Sequence, residues 1–163
     1  MNNIRSVVDA GCGDWEFSQA IDWTGIEYNG FDIVEDVIKA NIAKHSAPNV
    51  SFAVANIVKD PLPKADLLIV KHVLQHIPNA EVHQFLPQLR KYKHVLLVNS
   101  VDPKTLSGSN KDTTVGGYRH LELTRPPFNL RGNKVLAYTD DLNAHVVLHL
   151  FQREPKPPKS QKK

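Results

Sequence analysis

A chain of 163 residues, 41% hydrophobic and only 7% aromatic with a formal charge of +3, is long and apolar enough for one domain with a real core and is not of disordered composition. Its single cysteine, Cys12, excludes an internal disulfide. The absence of any apolar run near about 18 residues excludes a membrane-spanning helix, and with no signal-peptide pattern a cytoplasmic setting is expected.

Taken in order, Ser6 to Ala10 reads as a first strand, β-branched and ending beside an acid, Asp9. Gly11 and Gly13 follow as a tight turn, and a short helix is expected from Trp15 to Asp22, with Trp15, Phe17, Ala20 and Ile21 apolar. The two glycines let backbone approach a ligand closely, and free N–H groups with a positive helix end would face the same spot. Tyr28 to Asp32 is a second strand. Val34, Val37, Ile38 and Ile42 then fall on one face of a helix ending near Ser46, with Glu35 and Asp36 in its first turn. Val50 to Val54 is a third strand, and Asp60-Pro61-Leu62-Pro63 is too broken for a full crossover helix.

Asp66 to Val70 is apolar on both faces, as a central parallel strand is, and His94 to Asn99 is its neighbour. Between them a helix with Asn79 as N-cap and Val82, Phe85, Leu86 and Leu89 buried is expected to kink, or to split into two short helices, at Pro87. Residues 101–133 show no regular pattern, and ordered loops of that length usually carry function. Lys134 to Thr139 and His145 to Phe151, separated by Asp140-Asp141-Leu142-Asn143, read as an antiparallel hairpin. From Arg153 to Lys163 five Lys/Arg and three prolines face a single acid, Glu154. That tail is expected to stay solvated and is the one feature by which the chain would touch nucleic acid or an acidic partner.

Strands alternating with crossovers predict an α/β fold: a doubly wound, mostly parallel, seven-stranded sheet ending in an antiparallel hairpin, with its ligand crevice beyond the carboxyl ends of the strands. The candidate residues fall there: Asp9 on the first strand, Asp32 closing the second, Asn56 after the third, Lys71 and His72 after the fourth. An acid such as Asp32, about 20 residues after the glycines, is placed to accept ribose hydroxyls; it would also serve simply as a helix cap.

In these motifs the sequence resembles the class I S-adenosylmethionine-dependent methyltransferases (Rossmann-like fold) from Val7 to Phe151. Val7-Val8-Asp9-Ala10-Gly11-Cys12-Gly13 is similar to the first motif of that family, Gly30-Phe31-Asp32-Ile33 to its ribose-binding motif, Phe52 to Ile57 to its adenine-side motif and Asp66 to Pro78 to its fourth-strand motif. The resemblance implies methyl transfer from S-adenosylmethionine to an unidentified small-molecule or macromolecular acceptor. It also implies roles: Asp9 and the Gly11, Cys12, Gly13 turn for the methionine portion, Asp32 for ribose, Ile33 and Ile57 for the faces of adenine, and Asn56, through its amide oxygen, for the adenine amine. Trp15, where the family often has a third glycine, and Lys71 and His72 complete the expected cofactor contacts. The domain would span residues 1–152, without the helical lead-in that relatives commonly carry, and residues 153–163 would be the basic tail.

His72 and His76 are four residues apart, but with no third ligand and no glutamate at the spacing of hydrolytic zinc sites, no metal is expected. His76 is the candidate general base, and Tyr118 and Arg119 in the long segment are candidates for contacting the acceptor. A nicotinamide-binding domain is the rival enzyme reading. It is opposed by Glu16, which stands where the dinucleotide fingerprint needs a third glycine and would set an acid beside a pyrophosphate. A non-catalytic or truncated cofactor-binding module is the rival of a different class.

Overall fold

The computed structural model describes residues 3–140 and 143–151; the basic tail lies outside the described residues. Seven strands, β1 (Ser6–Ala10), β2 (Glu27–Asp32), β3 (Val50–Val54), β4 (Leu67–Lys71), β5 (His94–Val101), β6 (Asn133–Thr139) and β7 (Ala144–Phe151), form one sheet in the order β3-β2-β1-β4-β5-β7-β6. The first five run parallel, and β7 is antiparallel to both β5 and β6. This is the predicted doubly wound sheet with its terminal hairpin. The winding reverses between β1 and β4, which opens a crevice at their carboxyl ends.

Two apolar layers cover the sheet. One holds Leu68, Leu74, Phe85, Leu97 and Leu121; the other holds Val7, Trp15, Tyr28, Ile38 and Phe52. Each such side chain, taken fully from water, contributes on the order of 2 kcal/mol. Among the described residues no helix is long and apolar enough to cross a membrane.

Several elements differ from the sequence reading. The helix expected from Trp15 to Asp22 is only a 3-10 turn, Ser18–Ala20. Trp15 sits at φ +61°, which no helix accommodates, and its ring is driven beneath the glycine turn against Tyr28, His45 and Phe52, while Phe17 and Ile21 stay exposed. Helix α1 (Glu35–His45) buries Ile38 and Asn41, whereas Val34 and Ile42 face solvent. The buried stripe is therefore rotated from the predicted one, because Asn41 is recruited as a polar anchor. Pro87 does split its helix, into α2 (Asn79–Phe85) and a 3-10 helix, Leu86–Lys91. Asn79 is not the cap: its N–H donates to Asp112 Oδ1 at 2.8 Å, so a carboxylate from the long segment caps α2.

Residues 102–132 contain no helix and no named strand. Order there comes from buried polar groups. Glu122 accepts from Thr124 and Lys134 and pairs with Arg125, and Asn110 bonds the carbonyls of Glu122 and Pro126. Burial pushes the Glu122 carboxyl up, but hydrogen bonds from Lys134, Ser107 and Thr124 outweigh it and hold the group at about 2.

Candidate functional site

At the carboxyl end of β1 the chain turns through Gly11 (φ +89°) and Gly13 (φ +55°). The amides of Gly11 and Cys12 donate to Phe31 O at 2.7 and 3.0 Å, and that of Gly13 donates to Asp32 Oδ2 at 3.0 Å. These N–H groups are spent on β2, contrary to the expectation that they face a ligand, and no helix follows to add its dipole. The turn thus permits close approach but offers neither donors nor a positive helix end to a phosphate. The nicotinamide reading loses its physical basis here.

Asp32, half-buried, accepts from Gly13 N–H with Oδ2 and from Val34 N–H with Oδ1, both at 3.0 Å. It therefore does act at the start of α1. A carboxylate has about four acceptor positions, so one on each oxygen stays open. Beneath the turn Asp9 is buried, with Oδ2 accepting from Tyr28 Oη at 2.7 Å and Ser18 Oγ at 3.3 Å. Burial pushes its carboxyl up to about 6, although these donors and the charge of Lys71 pull the other way. Burial and the nearby Asp9 and Asp32 carboxylates push the Cys12 thiol up to about 12, so it is no nucleophile.

A cavity of about 500 Å³ joins Gly11, Asp32, Ile33, Asn56, Ile57, His72 and His76 with Val115 and Gly116 of the long segment. Of the sequence candidates, Asp9, Cys12, Gly13, Trp15, Lys71, Tyr118 and Arg119 do not line it. Trp15 is core, and Lys71 Nζ lies over the Phe17 ring, 5.3 Å from its centroid. Tyr118 is exposed, with its ring 5.7 Å from that of His76 and its hydroxyl donating to Asn143. Arg119 is buried and donates to Ile77 O at 2.8 Å and Leu74 O at 3.5 Å, so its guanidinium holds the cavity wall and is not open to an acceptor. The Asn56 side-chain oxygen accepts from both Val58 N–H and Lys59 N–H, which leaves its amide nitrogen, a donor, for any ligand.

The wall itself is a clasp between two segments. Gly116 N–H donates to His76 O at 2.9 Å, Arg119 N–H to Gln75 O at 3.3 Å, and His76 Nδ1 bonds Gly117 O at 2.8 Å. His72 and His76 do not share a helix face: His72 sits at φ +57° after β4, and His76 ends the 3-10 turn Leu74–His76. Among the described residues no group of three or more metal-ligating side chains is found.

The sequence matches the O-methyltransferase domain family over residues 1–121. The chain belongs to that family. No curated protein matches the sequence. Among solved structures it is similar to human N-acetylserotonin methyltransferase in complex with S-adenosylmethionine, at 16% identity and a TM-score of 0.67 over 93% of this chain and 48% of that one. It is similar also to magnesium protoporphyrin IX methyltransferase of Synechocystis with bound S-adenosylhomocysteine (18%, TM-score 0.64, 93% of this chain and 76% of that one). A third likeness is to the N-methyltransferase NodS of Bradyrhizobium japonicum (13%, TM-score 0.67, 93% and 87%). At these identities the likeness is one of fold, and the chain spans about half the length of the human enzyme.

S-adenosylmethionine is the cofactor that membership of this methyltransferase family brings, and the residues of the cavity fit it. Asp32 keeps open acceptor positions, Ile33 is an apolar side chain 62% exposed at the cavity, and the absence of a phosphate cradle is immaterial to a cofactor that carries no phosphate.

Two contributors escaped the sequence reading. Asn41 donates from α1 to Gly13 O at 2.7 Å and so fixes the glycine turn; its signal was a polar residue three positions after Ile38, on the buried stripe. Gln75, buried between the two cavity histidines, left no pattern that sequence spacing reveals.

Proposed function

We propose that this domain transfers the methyl group of S-adenosylmethionine to an acceptor held between Val115-Gly116 and the two cavity histidines. The observation that carries the reading is the single cavity that joins Gly11, the Asp32 carboxylate and Ile57 to His72 and His76. In it the ribose hydroxyls would donate to Asp32, adenine would lie between Ile33 and Ile57, and Asn56 would donate from its amide nitrogen. The cofactor, when bound, supplies an electrophilic methyl on a sulfonium. The chain's own part is to place the acceptor in line with it and exclude water, which can supply much of the rate without any proton transfer.

Calorimetric titration with S-adenosylhomocysteine tests this reading. Saturable binding is expected, weakened at least about tenfold by Asp32→Ala because two hydrogen bonds to a charged group are lost. A folded protein that binds neither S-adenosylhomocysteine nor S-adenosylmethionine overturns it. Among the described residues that line the cavity there is no arginine for an anionic acceptor to meet, and Arg119 donates instead to carbonyls within the wall.

A further inference from the structure

The end of the sheet away from the Asp32 cavity carries a second recess. β5 begins there at His94 and β7 ends there at Phe151. Between the end of β7, the start of β6 and the helix pair broken at Pro87 lies a cavity of about 700 Å³. Its walls are of two kinds: Leu86, Leu130 and Phe151 are apolar, while Arg90, Arg131 and His149 bring cationic or protonatable nitrogen, and among the described residues no carboxylate lines it.

Arg90 and Arg131 are both exposed, and among the described residues neither guanidinium pairs with a carboxylate. Arg119 and Arg125, by contrast, are spent on carbonyls and on Glu122. Two such forks on one apolar wall suit phosphate oxygens, which a guanidinium binds in pairs. Beside them the sheet presents a ledge of rings. His94 and His149 stack with 8° between their planes and 5.5 Å between centroids, and Phe151 lies 5.0 Å from His94 with 59% of its surface in water. A planar base laid on that ledge would cover an apolar ring that the fold itself leaves wet.

We infer that this recess is a docking site for single-stranded nucleic acid, with Arg90 and Arg131 on backbone phosphates and Phe151 stacking on a base. Other occupants fit less well. A second copy of the chain docking by the same face would set arginine against arginine. The chain's own tail runs on from Phe151 with Arg153, Lys156, Lys159, Lys162 and Lys163 against one acid, Glu154; it has the sign of the recess and so adds to its field instead of filling it. An acidic peptide would engage the guanidinium groups but has no flat ring for the ledge, and a duplex keeps its bases inside. The inference goes beyond methyl transfer and does not depend on it, because the recess lies at the amino ends of the parallel strands and needs no cofactor.

The two kinds of contact leave separate marks. Each phosphate contact releases counterions, so losing two lowers the slope of log affinity against log salt by about 1.4 and weakens binding at least about tenfold near 0.1 M salt. Stacking is insensitive to salt and costs at least about fivefold when the ring is removed.

Fluorescence anisotropy of the full chain with a labelled oligouridylate of about 12 nucleotides tests the site. Saturable, salt-sensitive binding is expected. Arg90→Gln combined with Arg131→Gln should weaken it at least about tenfold and flatten the salt slope by about 1.4. Phe151→Ala should weaken it at least about fivefold while leaving the salt slope and the binding of polyglutamate unchanged. The three side chains are exposed, so both variants should keep the wild-type melting transition. With 4-thiouridine in the oligonucleotide, photo-crosslinking to the wild type should map to the peptide carrying His149 and Phe151, which decides the matter even if a variant fails to fold. The inference is overturned by any of four results: no binding at about 0.05 M salt, wild-type affinity in the double glutamine variant, crosslinks confined to residues 153–163, or polyglutamate binding as tightly as the oligonucleotide. The third would assign the affinity to the tail alone, and the last would make the partner an acidic protein.

Discussion

A Cβ built on Gly11 meets Val73 Cγ2 at 2.1 Å, whereas one on Gly13 meets nothing within 4 Å. Both residues have positive φ, so alanine strains either, but only at Gly11 does it also collide with a stiff β-branched side chain. Gly13→Ala is expected to cost about 1–2 kcal/mol, and Gly11→Ala about 2–4 kcal/mol once overpacking is added. Urea unfolding measures both, and Val73→Ala should recover part of the second loss. Asp9 poses the opposite case. With its carboxyl raised to about 6, keeping it ionised at neutral pH costs roughly 3 kcal/mol against the unfolded chain. Asp9→Asn keeps an oxygen for Tyr28 and Ser18 to donate to, so it should raise the melting temperature at pH 7.5. Loss of affinity for S-adenosylhomocysteine in the same variant would show that the carboxylate is retained for binding at the expense of stability.

Whole elements were legible where their chemistry is local. β4 is apolar on both faces and lies at the centre of a parallel sheet, and Pro87 breaks its helix because it lacks an N–H. What was not legible is chemistry completed by distant segments. Trp15 looks like the start of a helix until Tyr28 and Phe52 are known to lie beneath it, and Arg119 looks like a solvated or substrate-facing cation until the carbonyls of Leu74 and Ile77 are placed around it. Asp32 was readable because its spacing from the glycines is a local fact; Gln75 was not, since its partners come from β5 and the turn itself. Arg119→Ala is accordingly expected to lower stability by about 2 kcal/mol, as carbonyls it satisfies are orphaned, and to weaken S-adenosylhomocysteine binding together with it. A loss of acceptor use at unchanged stability and cofactor affinity would contradict the strut role.

Over the whole molecule the titrating groups pull in opposite directions. His72 and His94 are depressed chiefly by burial, so the unfolded chain binds protons more readily and stability is lost as pH falls below about 6.5. Asp9, raised to about 6 from 3.8, takes up its proton in the folded state first and restores stability between those values. Glu122, held at about 2 against 4.5, makes stability fall again as pH drops below 4.5. Urea midpoints should therefore decline just below neutrality, flatten between about pH 6 and 4.5, and then fall; in Asp9→Asn the flat stretch should vanish. The clasp of Gly116, Gly117 and Arg119 on residues 74–77 has its own dynamic signature. Because one set of main-chain bonds unites an otherwise irregular stretch with the 3-10 turn that follows the fourth strand, the amide protons of Gly116 and Arg119 should exchange with deuterium in step, as one opening unit, and later than their neighbours at Thr114 and Val115.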